Sequence, residues 1–187
     1  MGIEEKGGYL FCITGLPGNG KSTVANILSE HLRERSVQTV HYTTDWIRDH
    51  LYPELLDETR WFREWGPDEF TRTYNGLYML IDEVFKYSPL TVVTDGTFRF
   101  DAQRARLREI ALHNNRQFNL IKVNADEEIV VPRLEQRLSQ RQGAGTGSYY
   151  SAKSVYQEPT EKYSIIDNNG DLNNLNVQIG NFVSSLN

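Results

Sequence analysis

The 187-residue sequence contains a single cysteine, Cys12. One thiol cannot close an internal disulfide, which excludes a small cystine-stapled scaffold and favours a reducing compartment. No apolar run approaches the roughly 18 residues of a membrane span, and the opening MGIEEKGG lacks the apolar core of a signal peptide. Gly2 does not begin a myristoylation motif, because Lys6 fills the place where that motif needs Ser or Thr. Basic residues are not in excess. The net charge of −5 argues against bulk, sequence-independent nucleic-acid binding, although it permits a local basic site. The four histidines (His31, His41, His50, His113) show no metal-ligand spacing and are expected to be solvated or packed. There is no internal repeat and no inter-domain linker. What remains is one globular domain spanning 1–187, long enough to bury a substantial core and expected in the cytoplasm as a monomer or homodimer.

What the chain does possess is concentrated in Tyr9–Thr23, YLFCITGLPGNGKST. Leu10 to Thr14 suit a buried parallel strand. Gly15-Leu16-Pro17-Gly18-Asn19-Gly20-Lys21-Ser22 then matches G-x-x-x-x-G-K-[ST] without a mismatch, and a helical pattern with Val24, Ile27, Leu28 and Leu32 on one face follows. The spelling has a chemical reason. Glycines let the backbone turn tightly so that its N–H groups converge on phosphate oxygens. The helix N-terminus adds partial positive charge. Lys21 can reach the outer phosphates and the Ser22 hydroxyl can ligate Mg²⁺. ATP with Mg²⁺ is therefore the expected ligand, held by Gly15, Pro17, Gly18, Asn19, Gly20, Lys21, Ser22 and Thr23.

Further along, strands are expected at Gln38–Thr43, Leu90–Thr94, Phe118–Val123 and Ser164–Asp167. Helices are expected after Thr43-Thr44-Asp45, from Pro67 to about Lys86, from Ala102 to His113 with Asp101 as a cap, and from Glu127 to Arg141. Pro132 in the last of these predicts a kink or a late start. The aromatic segment 54–66, with Trp61, Phe62 and Trp65, carries no assignable pattern; its rings suit the packing of a helical cap more than base stacking. Gln142–Tyr150 is glycine-rich and expected to be mobile, Lys153–Tyr163 is expected to be irregular or helical near its end, and the apolar spacing from Leu172 to Leu186 predicts a final helix. Strand–helix alternation of this kind means a three-layer α/β fold, a parallel sheet with helices on both faces.

Several side chains outside the loop could carry chemistry. Asp45 follows the second strand, at the carboxyl edge where parallel sheets bind ligands, and could either deprotonate or orient an acceptor hydroxyl. Arg48, three residues on, could pair with an anionic part of the acceptor. Asp95 ends a hydrophobic strand, the usual place for the second Mg²⁺-directed carboxylate of such a fold. Arg133, Arg137 and Arg141 share a helical stripe just before the glycine-rich segment, where a closing lid could bring positive charge to a migrating phosphoryl group. Arg104 is a weaker substrate-side candidate.

GLPGNGKST (Gly15–Thr23), TDWIR (Thr44–Arg48), VVTDGTFRFDAQRARLREIA (Val92–Ala111) and the spaced Arg133 and Arg137 together resemble the small P-loop kinases related to adenylylsulfate kinase, nucleotide kinases and the kinase domain of polynucleotide kinases. The resemblance implies a P-loop NTPase fold with a five-stranded parallel sheet in order 2-3-1-4-5. It also implies a helical acceptor-side region at about 52–88 and a lid at about 133–160. By motif position, Asp45 is similar to the family's acceptor-side carboxylate, Arg48 to its substrate-contacting arginine, and Arg137 to the arginine that packs on adenine or reaches phosphate, a role Arg133 could also fill. The sequence departs from adenylylsulfate kinases at Trp46 and at Gly96-Thr97-Phe98-Arg99, and the Asp-Gly-Thr-Phe stretch is closer to kinases near the polynucleotide and seryl-tRNA enzymes. The expected activity is ATP-dependent phosphorylation of a hydroxyl on a small-molecule or nucleotide-like acceptor. The alternatives are a 5′-hydroxyl polynucleotide or seryl-tRNA kinase-like enzyme and a non-catalytic nucleotide-binding regulator. A GTPase is disfavoured by the lack of Asn-Lys-x-Asp, and a transport ATPase by the lack of a Leu-Ser-Gly-Gly-Gln signature.

Overall fold

In the computed structural model, residues 8–53, 66–140 and 145–186 are described. Five strands, β1 (Tyr9–Thr14), β2 (Thr39–Thr43), β3 (Thr91–Asp95), β4 (Gln117–Asn124) and β5 (Ser164–Asp167), form one sheet in the order β2-β3-β1-β4-β5. Every pairing is parallel. The sheet order implied by the resemblance is the one observed.

The alternation of side chains along β1 explains the layers. Leu10 and Cys12 point to one face and join the core made with α3 (Pro67–Tyr87) and α4 (Asp101–His113), through Leu77, Ile81, Leu107 and Ile110. Phe11 and Ile13 point to the other, where α1 (Lys21–Glu34) and α7 (Leu172–Ser184) supply Val24, Leu28, Leu175 and Ile179. With no solvent on either face, β1 has no polar alternation, which is why it reads as a continuous apolar run. Truncating a ring such as Phe11 to alanine in this setting costs about 3–5 kcal/mol.

Three expectations need correction. Asp101 is the first residue of α4 rather than the residue before it, and its carboxylate binds Arg104 instead of capping the helix. Of the two effects expected of Pro132, the late start is not seen: α5 runs Glu127–Ser139 with the proline inside it. The stretch expected to be mobile is ordered into a helix in its second half: α6 (Thr146–Val155) forms there, with Tyr149 and Ala152 buried. Tyr149 packs with Val130 and Leu134 of α5 and with Leu16 in a small third core. That burial outweighs the low helix propensity of the glycines.

Beyond α6 the chain is extended but firmly held. The Tyr156 hydroxyl lies 3.0 Å from Thr14 Oγ1, and the Gln157 N–H donates to the Arg99 carbonyl at 2.8 Å. Glu158 pairs with Lys122 and Glu161 with Arg108.

Candidate nucleotide and acceptor site

Chain direction puts the carboxyl ends of all five strands on one edge of the sheet, and the glycine loop 15–20 leaves β1 there. Gly18 and Gly20 hold φ of +84° and +89°, the left-handed region that side chains avoid. Space is also lacking. A Cβ on Gly18 would lie 2.7 Å from Val130 Cγ1, and one on Gly20 would lie 2.1 Å from Asn168 Nδ2. The loop is thus roofed by α5 and braced by the residue after β5. Asn19 donates through Nδ2 to the Val123 carbonyl, and Asn168 donates through Nδ2 to the Asn19 carbonyl, both at 2.8 Å.

Lys21, at the start of α1, folds back to donate to the Leu16 carbonyl at 3.0 Å. Its surroundings define the site. Partial solvent access remains, yet dense protein packing pushes its ammonium below the ordinary lysine value; the Asp95 and Asp45 carboxylates oppose that shift, and Arg137 adds to it. Three other expected site residues, from β3, α2 (Thr44–Leu51) and α5, are thus near enough to bear on the charge of Lys21.

Asp95 ends β3 and is buried. Its Oδ2 accepts from Ser22 Oγ at 2.8 Å and its Oδ1 accepts from His41 Nε2 at 2.6 Å. Ser22 and Asp95 present hard oxygen donors of the kind Mg²⁺ prefers. Among the described residues no group of three or more His, Cys, Asp or Glu side chains could hold a metal alone. A cation here would be completed by phosphate oxygens and water, as suits Mg²⁺.

Asp45 occupies the first turn of α2. Thr43 Oγ1 caps this helix by accepting from the Trp46 N–H at 2.8 Å, so the Asp45 carboxylate is not used as the cap. Its side chain is 69% exposed and accepts from Arg48 at 2.5 Å, while Arg48 is only 16% exposed. The loop following β3 is fixed beside them: the Tyr74 hydroxyl accepts from the Phe98 N–H at 3.2 Å, and burial pushes the Tyr74 phenol up to about 12. Arg99 leaves that loop with its guanidinium over the rings of Phe70 and Phe100, at 4.8 and 5.2 Å.

On the other side of the loop lies a cleft of about 190 Å³ lined by Gly18, Gly20, Thr23, Arg133, Arg137 and Asn168. Arg133 also donates to the Asn168 carbonyl at 3.3 Å. A larger cleft of about 370 Å³, between α3 and α4 at Asp82 and Arg106, contains no residue of the glycine loop and shares none of this chemistry. Arg141, Trp61, Phe62 and Trp65 lie outside the described residues.

Arg104, expected on the substrate side, is turned into the protein. It is wholly buried, and its guanidinium donates to the Phe98 carbonyl at 2.6 Å, to the Gln157 carbonyl at 2.8 Å and to Asp101. These partners secure the segment after α6 to the loop after β3, a structural task. Sequence reading missed His41 and Asn168. His41 shares the alternation of an ordinary strand. Asn168 sits in an Asn-Asn-Gly-Asp run that signals a turn, and nothing local marks its side chain as reaching the glycine loop.

Solved structures sharing this fold include Chaetomium thermophilum Kti12 in complex with ADP-AlF3, at 17% identity and a TM-score of 0.72 over 95% of this chain and 99% of that one. Mycobacterium tuberculosis APS kinase CysC, in complex with AMPPNP and APS, matches at 17% identity and a TM-score of 0.68 over 95% and 96%. A gluconokinase from Sinorhizobium meliloti 1021 matches at 14% identity and a TM-score of 0.64 over 97% and 99%. At such identities the likeness shows a small P-loop kinase-like fold. The AAA domain family model matches residues 10–159, which takes in the glycine loop, Asp45, Asp95 and both cleft arginines, and the chain accordingly belongs to the AAA domain family AAA_33.

Proposed function

We propose that the protein is an ATP-dependent phosphotransferase that phosphorylates a hydroxyl of a small-molecule or nucleotide-like acceptor in the cytoplasm. The observation that carries this reading is the built glycine loop at the carboxyl edge of the sheet: Gly18 and Gly20 hold φ of +84° and +89°, Lys21 and Ser22 open α1 directly after them, and Ser22 donates to the buried Asp95 at 2.8 Å. The fold neighbours solved with AMPPNP or ADP-AlF3 are in keeping with it.

In this reading the amides of the glycine loop cradle the phosphates, and Lys21 leaves the Leu16 carbonyl for the β- and γ-oxygens. That exchange favours binding, because a partly desolvated ammonium gains an anionic partner. Ser22 and Asp95 hold Mg²⁺, whose contribution is to neutralise charge on the phosphates. Asp45 accepts the acceptor's hydroxyl proton or aligns that hydroxyl for in-line attack, and Arg48 fixes the carboxylate and contacts the acceptor. The adenine and ribose occupy the cleft beside Thr23, Arg133 and Asn168, with Arg137 moving toward the phosphates as charge develops. Of the described residues, 133–140 and 145–160 serve as the lid and 66–88 flank the acceptor.

The test is an acceptor screen with labelled ATP and Mg²⁺ across adenylylsulfate, nucleosides, nucleoside monophosphates, sugars and 5′-hydroxyl oligonucleotides. Product on one class assigns the acceptor, and Lys21→Ala should abolish it. ATP binding without transfer to any class would overturn the catalytic reading in favour of a nucleotide-dependent regulator.

A further inference from the structure

Asp95 is held from both sides. One carboxylate oxygen takes the Ser22 hydroxyl, and the other takes His41 Nε2 at 2.6 Å, the shorter of the two bonds. The side chains of His41 and Asp95 are 15% and 5% exposed, so little water competes for this contact. The register explains how they meet. Thr43 lies opposite Asp95 and His41 opposite Val93, so His41 stands two residues back along β2, on the face that Asp95 uses. A carboxylate can only accept, so the imidazole donates from Nε2.

We propose that His41 is the positioning residue for the metal-directed carboxylate; this rests on the nucleotide reading above. A carboxylate rotates readily about its last torsion, where no steep staggered wells exist. The bond to Oδ1 removes that freedom and leaves Oδ2 aimed at Ser22, where the cation belongs. The choice of residue is specific. A lysine or arginine at 41 would place a permanent positive charge beside the ion and cancel the carboxylate's attraction. An imidazole fixes the group through one N–H and needs no permanent charge to do so. Partners of this kind, one bond removed from the ion, typically change metal affinity by about 10–100-fold when lost.

The experiment is calorimetric titration of the full chain with ATP, once in EDTA and once in saturating Mg²⁺. In the wild type Mg²⁺ should tighten ATP binding. In His41→Leu that gain should shrink by about tenfold or more, while the affinity in EDTA stays as in the wild type. His41→Gln, whose amide nitrogen reaches about as far as Nε2, should keep most of the gain; His41→Asn, one methylene shorter, should lose it. A Mg²⁺ gain unchanged in His41→Leu overturns the proposal, as does a loss in His41→Gln equal to that in His41→Leu. Should His41→Leu fail to fold, the Gln and Asn pair decides by the same contrast. A wild type that binds no ATP in either condition overturns the nucleotide reading itself, an outcome separate from the variant result.

Discussion

Asn168 donates its side-chain amide to the Asn19 carbonyl at 2.8 Å, and the same nitrogen occupies the space that a Cβ on Gly20 would need. The turn after the last strand is thus a wall of the glycine loop.

Two obstacles therefore guard position 20, and they separate experimentally. Gly20→Ala should abolish ATP binding. Pairing it with Asn168→Gly removes the clash but not the strain of φ +89°, so the double variant should recover stability only in part. Recovery of ATP affinity by calorimetry to the level of Asn168→Gly alone would show that the clash alone matters. Asn168→Ala by itself should weaken ATP about fivefold to tenfold, the worth of one buried hydrogen bond.

Lys21 predicts a pH dependence with a definite sign. Burial lowers its titration point in the free protein, and a bound triphosphate raises it again. Between those two values binding takes up a proton, so ATP affinity falls as pH rises through the lowered one. Calorimetry in buffers of different ionisation enthalpy should report proton uptake on the alkaline side, and Lys21→Met should abolish it. An equal uptake in that variant would assign the proton elsewhere.

Arg104→Ala should cost about 3–5 kcal/mol, as loss of one partner from a buried charged network does. Arg104→Lys should recover little, because one ammonium cannot span the Phe98 and Gln157 carbonyls and Asp101 together. Urea midpoints measure both. A variant of wild-type stability with a raised acceptor KM would instead place Arg104 at the substrate.

Cys12 lies at the centre of β1 with no exposure, and burial drives its thiol well above the ordinary value. It should be silent to a disulfide reagent in the native protein and titrate as one thiol on denaturation. Rapid native reaction would mean that β1 opens.

How much of this was legible in the sequence depends on the distance over which each feature is written. The first strand, the loop, its lysine and the start of the helix are encoded within fifteen consecutive residues, and each element constrains the next. Asp95 was legible because a buried strand ending in Asp is a local pattern. The sheet order came from family resemblance rather than from periodicity. His41 and Asn168 were out of reach: their partners lie 54 and 149 residues away, and strand register is invisible before the sheet is assembled. Arg104 misled for a related reason. An arginine on a helix after a functional loop reads as outward-facing, and only the folded chain shows the two carbonyls that draw it inward. The helix α6 was hidden because Gly147 within it and Gly145 before it argue against it, whereas the pocket that holds Tyr149 is built by residues of α5 and the loop.

The brace on the glycine loop also sets a schedule. A ribosome that has released the complete phosphate motif must synthesise well over a hundred further residues before Asn168 emerges. Contacts of such long span form slowly, since the loop they close must be ordered first. The nascent protein therefore displays its nucleotide motif early and acquires a finished one late, only after the last strand has docked at the sheet's edge.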